Sequence, residues 1–178
     1  MINIKSASDI AKMKTAGRIT GEALKLAGES IVPGMTTKEL DAIIHDYIVS
    51  QGAVPSFLGY GGFPASACIS INNEVIHGIP GKKKIREGDI VSVDVGAFID
   101  GFHGDSAKTF AVGKITKDDE ELMRVTEESL YKGIEKAVAG NRIGDISVAI
   151  EEHVRKFGFG VVKEYIGHGV GRKLHEEP

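Results

Sequence analysis

The segment that most limits how this chain can fold is IVSVDVGAFIDGFHGDSAKTFAVG, residues 90–113. Two β-prone runs flank Asp100 and Gly101, a dipeptide typical of the type I′ turn that joins antiparallel strands. With these residues in the turn, Phe102 lies opposite Ile99. The sequence therefore predicts a β-hairpin at about 90–112.

The hairpin register brings two carboxylates together. Counting outward from the turn, Asp105 lies opposite Gly96, and Ala107 lies opposite Asp94. Asp94 and Asp105 are then diagonal neighbours on one face, roughly 7 to 8 Å apart, and could lean toward a shared cation. A solvent-exposed sheet face, which often carries Asp and Thr, is the alternative, and a bulge would break the register.

The other hairpin residues favour a site. The residues predicted to share the face of the two aspartates are small or polar: Ser92, Gly96, Ala107 and Thr109. The residues predicted for the opposite face are apolar: Val91, Val93, Val95 and Phe110. Alternation of this kind is expected for a sheet with one face on a core, which leaves the polar face for function.

Helical periodicity and capping signals predict four helices. They run from Ser6 to about residue 30, from Thr36 to Gly52, from Thr116 to Gly140 and from about Asp145 to Phe157. Residues 53–66 indicate a loop, residues 67–80 short strand segments around a turn at Asn72 and Asn73, and residues 161–166 (VVKEYI) a further strand. The pattern is that of an α+β protein.

The two halves of the chain resemble each other. Small and aliphatic residues recur at one offset of 106 residues: Gly34 with Gly140, Leu40 with Ile146, Ile44 with Ile150 and Gly52 with Gly158. Any two helices with glycine caps could share such residues, but an internal duplication explains them together. It gives a first half, 1–112, and a partial second half, 113–178, whose matching hairpin is expected near 196–218.

Composition excludes several classes of protein. The 178 residues carry a net charge of −3, which gives no electrostatic case for nucleic-acid binding. No apolar run reaches the roughly 18 residues of a membrane span, and MINIKSASDI has no hydrophobic signal region. The single cysteine, Cys68, excludes an internal disulfide framework. We expect one cytoplasmic globular domain without a membrane partner.

Histidines add nitrogen donors to the carboxylates. His168 lies between Gly167 and Gly169, which give its imidazole close access to a ligand. A lone histidine is more often structural, but two carboxylates and an imidazole form a set that suits divalent Mn, Fe, Co or Zn. His77 and His175, at loop boundaries, could bond a substrate amide. Structural or surface roles are assigned to the remaining histidines: His45, His103 and His153.

Three segments together resemble type I methionine aminopeptidases in order and spacing: NEVIHGIP, VDVGAFIDGFHGDSAKTF and EYIGHGVGRKLHEEP. The resemblance runs from the first helix to the last residue. It implies the pita-bread fold, a pseudo-two-fold α+β domain. It also implies removal of the initiator methionine from nascent polypeptides with a small second residue, by a metal-activated water.

The resemblance implies a role for each candidate residue. Asp94, Asp105 and His168 would ligate two divalent ions, with Asp105 as the bridge. His77 and His175 would be the catalytic residues that contact the substrate amide. The residues implied for the methionine pocket are Phe57, Tyr60, Phe63 and Cys68. Leu174 stands where the family often has an aromatic residue.

Two further glutamate ligands of the family have no counterpart before Pro178. We therefore expect an incomplete metal site, little or no activity of this chain alone, and self-association through the incomplete second half. One rival function is an X-Pro dipeptidase, which usually carries an N-terminal domain for which residues 1–5 leave no room. A non-catalytic binding protein is another, although such relatives lose the metal ligands. A cysteine protease is disfavoured, because Cys68 lies in an apolar strand without a nearby basic partner.

Overall fold

A computed structural model describes residues 2–177. The long helices are α1 (Ala7–Ser30), α2 (Thr37–Ser50), α3 (Lys117–Lys136) and α4 (Ile143–Arg155). The strands are β1 (Val54–Pro55), β2 (Ala67–Ile71), β3 (Ile90–Ile99) and β4 (Phe102–Ala111). The chain forms two compact units, one with residues up to Ile115 together with His168–Glu177, the other with Thr116–Gly167.

The predicted capping boxes start both helices of the first unit. At α1, Asp9 N–H donates to the Ser6 hydroxyl over 3.2 Å, and Ser6 N–H donates to the Asp9 carboxylate over 3.0 Å. Thr36 and Glu39 exchange the same two bonds at α2. Each pair satisfies backbone donors that the first helical turn leaves without partners.

The predicted hairpin and its register are confirmed. Strand β3 pairs with β4 from Ile90↔Ala111 to Ile99↔Phe102 without a bulge. Asp100 and Gly101 have φ values of 53° and 82°, as a type I′ turn requires. On its other edge, β3 pairs antiparallel with both β1 and β2.

Helices α1 and α2 cover one face of this sheet. Val91, Val93 and Val95 are fully buried in the main core. The helix residues in that core with 1% exposure or less include Ile19, Ala23, Ala27, Leu40, Ile44 and Ile48. A Cβ at Gly104 of β4 would lie 2.7 Å from the Ala16 carbonyl oxygen of α1, so only glycine permits this approach. The opposite face of the hairpin is left free for polar side chains.

The second unit is built from helices α3 and α4. Gly133 of α3 packs against Ile146 and Ile150 of α4, and a Cβ there would lie 3.0 Å from Cδ1 of Ile150, closer than an ordinary contact. The His153 ring lies 3.0 Å from the Glu128 carboxylate. Large apolar residues of this unit with more than half of their surface exposed include Leu130, Tyr131, Ile134, Val138, Ile143 and Val148.

The two units share one pattern of element boundaries. Helix α1 ends at Ser30 and α3 at Lys136, whereas α2 begins at Thr37 and α4 at Ile143. Both pairs are separated by the offset of 106 residues found in the sequence. Gly34 and Gly140, at corresponding positions between the helices, both have φ of 95°.

Two strand predictions were wrong. Residues 161–166 form an irregular segment, as do residues 74–80 after the Asn72–Asn73 turn. A strand is stable only when its backbone groups bond to a neighbouring strand, and the described residues offer residues 161–166 no such neighbour. None of the helices described within residues 2–177 is long and apolar enough to cross a membrane.

Candidate metal centre

The hairpin places Asp94 and Asp105 on its polar face. Asp94 pairs with Ala107 and Asp105 pairs with Gly96, so the two side chains are diagonal neighbours. Burial, reinforced by the Asp105 carboxylate, raises the pKa of Asp94 to about 7. Burial also raises the pKa of Asp105. Two partly buried carboxyl groups that are diagonal neighbours on a sheet repel each other when both are ionised. A bound cation would remove that repulsion.

His168 faces this carboxylate pair. Its Nε2 atom lies 3.7 Å from Oδ2 of Asp105. Its Nδ1 atom lies 3.0 Å from the Gly169 carbonyl oxygen. Because a carbonyl oxygen only accepts hydrogen bonds, Nδ1 is the donor in this contact, and a ring with a single proton would have its unprotonated nitrogen, Nε2, on the side of Asp105. A backbone partner of this kind is the usual way in which a protein orients a histidine ligand.

The loop that carries His168 is closed by its own backbone. Gly169 and Glu176 exchange two backbone hydrogen bonds, of 2.7 and 2.8 Å. His103 N–H, on β4, donates to the Gly171 carbonyl oxygen over 2.8 Å. These bonds fix residues 169–176 beside the strand that carries Asp105.

Ion pairs tie the same loop to the N-terminal region. Lys5 Nζ lies 2.5 Å from the Glu176 carboxylate, and Arg172 Nη2 lies 2.8 Å from the Asp9 carboxylate. The Arg172 guanidinium also lies 4.4 Å from the centre of the Phe102 ring. Sequence reasoning did not identify these anchors, because ion pairs more than 160 residues apart in the chain leave no local signal.

His175 and His168 lie side by side, and the sequence assigned both to one site. Their ring centroids are 4.3 Å apart. On its other side, His175 Nδ1 lies 2.8 Å from the Tyr60 hydroxyl. The two histidines are thus neighbours with different hydrogen-bond partners.

His77 has a strained backbone, with φ of 60°. The next residue, Gly78, accepts from Ile69 N–H over 2.8 Å and donates to the Ser70 hydroxyl over 3.0 Å. A Cβ at Gly78 would lie 2.2 Å from the Ile69 carbonyl oxygen. Strain held in place by such contacts is typical of functional segments.

An apolar cluster adjoins the carboxylates. Phe57, Cys68 and Leu174 are buried together, with Phe63 packed against them. Cys68 pairs directly with Asp94 across strands β2 and β3. Three of the four residues expected to line a methionine pocket lie in this cluster. The fourth, Tyr60, is 51% exposed, and its hydroxyl lies 2.8 Å from His175 Nδ1.

The thiol of Cys68 is a poor nucleophile. Burial, together with Asp94 and Asp105, raises its pKa to about 12. A protein thiol reacts as its thiolate, which this environment suppresses. The expectation that Cys68 is not a protease nucleophile agrees with this environment.

The donor set fits a divalent transition metal by its chemistry. Two carboxylates and an imidazole with a free Nε2 lone pair are ligands for Mn, Fe, Co or Zn. Within residues 2–177, no three His, Cys, Asp or Glu side chains already surround a common ion position. The donor atoms lie on the β3–β4 hairpin and on the segment that contains His168.

Comparisons with known proteins identify the family. Residues 11–178 match metallopeptidase family M24. The chain is 53% identical over 179 residues to the methionine aminopeptidase of Clostridium acetobutylicum, and the match covers 100% of this chain and 72% of that protein.

Solved structures agree. The chain is similar to the methionine aminopeptidase of Rickettsia prowazekii, with a TM-score of 0.98 and 40% identity over 100% of this chain and 72% of the other. Similarity to the prolidase of Pyrococcus furiosus is lower, with a TM-score of 0.86 and 25% identity over 98% of this chain and 51% of the other.

The fold and the site therefore define a pita-bread metallopeptidase that uses divalent metal. The chain belongs to metallopeptidase family M24, and within it to the methionine aminopeptidases. The lower identity with prolidase gives the X-Pro dipeptidase alternative no support.

Proposed function

We propose that this chain provides the metal centre and substrate pocket for removing the initiator methionine from nascent polypeptides with a small second residue. One observation carries the proposal. His168 Nε2 lies 3.7 Å from the Asp105 carboxylate, next to the partly buried Asp94, while its Nδ1 lies 3.0 Å from the Gly169 carbonyl oxygen. Two carboxylates on the polar face of the hairpin and one imidazole beside them form a donor set of mixed type.

Each of these side chains has a separate task. Asp94, Asp105 and His168 would hold two divalent ions, Co, Mn, Fe or Zn, with Asp105 placed centrally as the bridge. When bound, the ions supply Lewis-acid activation of water and of the scissile carbonyl. The hairpin carries both aspartates, and backbone hydrogen bonds fix residues 169–176 next to His168, which lowers the cost of ordering these donors on binding.

The substrate side is formed by apolar and imidazole groups. Buried Phe57 and Cys68, with Phe63 packed against them, form an apolar surface that suits a methionine side chain, whose unbranched thioether packs well against aromatic rings. His175 and His77 would hydrogen-bond the peptide group that is cleaved. The direct pairing of Cys68 with Asp94 puts the apolar pocket next to the metal donors.

We assign this activity to the cytoplasm, because its substrates are nascent chains and because the only cysteine is a free thiol.

A chimera tests the function. Residues 1–178 would replace the matching 72% of the C. acetobutylicum protein, and release of methionine from a Met-Gly peptide would be measured with added Co or Mn. We expect turnover by the chimera and its loss in the Asp105→Asn chimera. We expect little or no turnover by residues 1–178 alone, because three donors under-ligate two ions. A folded chimera without activity, or robust turnover by the chain alone, would contradict this account.

We also propose that the chain self-associates, with a second copy covering the exposed apolar residues of α3 and α4. Leu130, Tyr131 and Ile134 are each more than half exposed on α3. At about 25 cal/mol per Å², a few hundred Å² of such surface is worth several kcal/mol. Sedimentation across a concentration series would reveal association that Leu130→Glu weakens. A concentration-independent monomer would contradict the proposal.

A further inference from the structure

Tyr60 and His175 are 115 residues apart in the chain and in direct contact in the fold. The Tyr60 hydroxyl lies 2.8 Å from His175 Nδ1, and the two ring centroids are 5.2 Å apart. Tyr60 is 51% exposed, and its hydroxyl has the ring of His175 as a polar partner.

The backbone around Tyr60 holds its side chain in place. Tyr60 N–H donates to the Phe57 carbonyl oxygen over 3.0 Å, and the Tyr60 carbonyl accepts from Phe63 N–H over 2.9 Å. Gly59, with φ of 82°, also donates to the Phe63 carbonyl oxygen over 2.8 Å. These hydrogen bonds fix the backbone at Tyr60, so the half-exposed side chain can direct its hydroxyl toward a single partner.

His175 is held from its other side as well. The His168 ring lies 4.3 Å away between centroids, at an interplanar angle of 54°. The residue after His175, Glu176, is fixed by the two backbone hydrogen bonds with Gly169. The orientation of the imidazole is thus set by its backbone, by His168 and by the Tyr60 hydroxyl.

The hydrogen bond also selects a tautomer. A neutral imidazole has one N–H donor and one acceptor nitrogen. The acceptor nitrogen is a stronger base than a phenol oxygen, so the Tyr60 hydroxyl donates to His175 Nδ1. The proton of the ring is then on Nε2. In His168 the Gly169 carbonyl imposes the opposite result, with the proton on Nδ1.

We propose that Tyr60 is a positioning residue that keeps His175 in the Nε2–H tautomer, so that His175 donates a hydrogen bond to the carbonyl oxygen of the scissile peptide. The inference rests on the proposed function, which places His175 at the substrate. It explains how the neighbouring residues His168 and His175 can have different roles. His168 presents a lone pair for a cation, whereas His175 presents a proton for an oxygen on which negative charge develops.

The tautomer of His175 can be measured by NMR, without an activity assay. Long-range ¹H–¹⁵N correlation spectra of the metal-free 178-residue chain, at a pH where the imidazoles are neutral, distinguish the two forms. His175→Gln and His168→Gln spectra assign the signals. We expect Nε2–H at His175 and Nδ1–H at His168. In Tyr60→Phe, which keeps the ring and removes the hydroxyl, His175 should become a mixture while His168 is unchanged.

Ser56→Ala is the matched control. It removes a hydroxyl that lies 2.8 Å from Nδ1 of another histidine, His103, and should leave His175 in the Nε2–H form. Nδ1–H at His175 in the parent chain overturns the proposal. An Nε2–H signal that persists unchanged in Tyr60→Phe overturns it equally.

The activity of the chimera separates this proposal from the proposed function. Tyr60→Phe should lower kcat by about tenfold with little change in KM, about the effect of one hydrogen bond. In His175→Ala, the further change Tyr60→Phe should have no additional effect on kcat. If His175→Ala leaves kcat unchanged, the role of His175 at the substrate is wrong, whatever its tautomer. If His175→Ala lowers kcat and Tyr60→Phe does not, the positioning role alone is wrong.

Discussion

Asp94 and Asp105 stand diagonally across one face of the β3–β4 hairpin, each opposite a residue with almost no side chain, Ala107 and Gly96 respectively. That relationship depends on the turn at Asp100 and Gly101. A slip of one residue would send one strand's aspartate into the apolar core. The metal donors are therefore placed by the same turn chemistry that forms the hairpin.

Removing the charge of Asp105 should weaken metal binding. We predict that Asp105→Asn, which keeps the shape but removes the charge, lowers the affinity of the chain for Co or Mn by at least about tenfold. His175→Ala should retain the metal affinity of the parent, because His175 is assigned to the substrate. Equilibrium dialysis of the parent chain, Asp105→Asn and His175→Ala measures these affinities. Equal metal content in the two variants would contradict the assignment of Asp105 as a metal ligand.

Replacing Gly96 by a residue with a side chain should destabilise the fold. A Cβ at Gly96 would lie 2.7 Å from Cβ of Ser56 and 2.8 Å from the Phe57 ring. We predict that Gly96→Ala costs about 1 to 3 kcal/mol of unfolding free energy. Gly21→Ala, in helix α1 with nothing within 4 Å of the new Cβ, should instead stabilise by up to about 1 kcal/mol. Urea unfolding of both tests the contrast. Equal effects would show that the close contact at Gly96 is relieved at no cost.

The sequence predicted those parts of the fold that depend on local chemistry. The capping boxes at Ser6 and Thr36 and the type I′ turn at Asp100 bring together residues that are close in the chain. The hairpin register follows from the turn, and with it the shared face of Asp94 and Asp105.

What the sequence could not predict depends on long-range contacts. The strand expected at residues 161–166 does not form, because strand propensity is realised only against a neighbour. The ion pairs from Lys5 and Arg172 to their distant partners carry no sequence pattern. The contact of Tyr60 with His175, across 115 residues of sequence, likewise carries no local sequence pattern.

A carboxylate away from the site links α2 to the start of β2. Asp41 accepts hydrogen bonds from the N–H groups of Ser66 and Ala67, over 2.9 and 2.8 Å, and both residues are buried. We predict that Asp41→Ala costs about 1 to 3 kcal/mol, since both donors lose their acceptor. Asp41→Asn keeps an acceptor oxygen and should cost less. Thermal unfolding of the pair checks this order.

The difference in stability between Asp41→Asn and the parent chain should depend on pH. Burial raises the pKa of Asp41 above its usual value, so its ionisation opposes folding. The parent chain loses this part of its stability as the pH rises through the raised pKa, and Asp41→Asn does not. The stability of Asp41→Asn relative to the parent should therefore improve with rising pH. A difference that is independent of pH would contradict the raised pKa.

Cys68 should react slowly in the folded chain. With its pKa raised to about 12 by burial and by Asp94 and Asp105, we predict alkylation at least about a hundredfold slower than in urea. A cysteine placed at exposed Val54 in a Cys68→Ser background is the control, because it should react equally fast in both states. Rapid labelling of native Cys68 would contradict the environment described for it.

The central claim is that Asp94, Asp105 and His168 form a metal centre. Anomalous diffraction at the cobalt edge, from crystals of the chain soaked in Co(II), tests it most directly. We predict two peaks of density, one within about 2.0 to 2.2 Å of the Asp94 and Asp105 carboxylates and the other at that distance from Asp105 and His168 Nε2, and their loss in Asp105→Asn. Cobalt bound only elsewhere, or bound to His168 through Nδ1, would contradict the account.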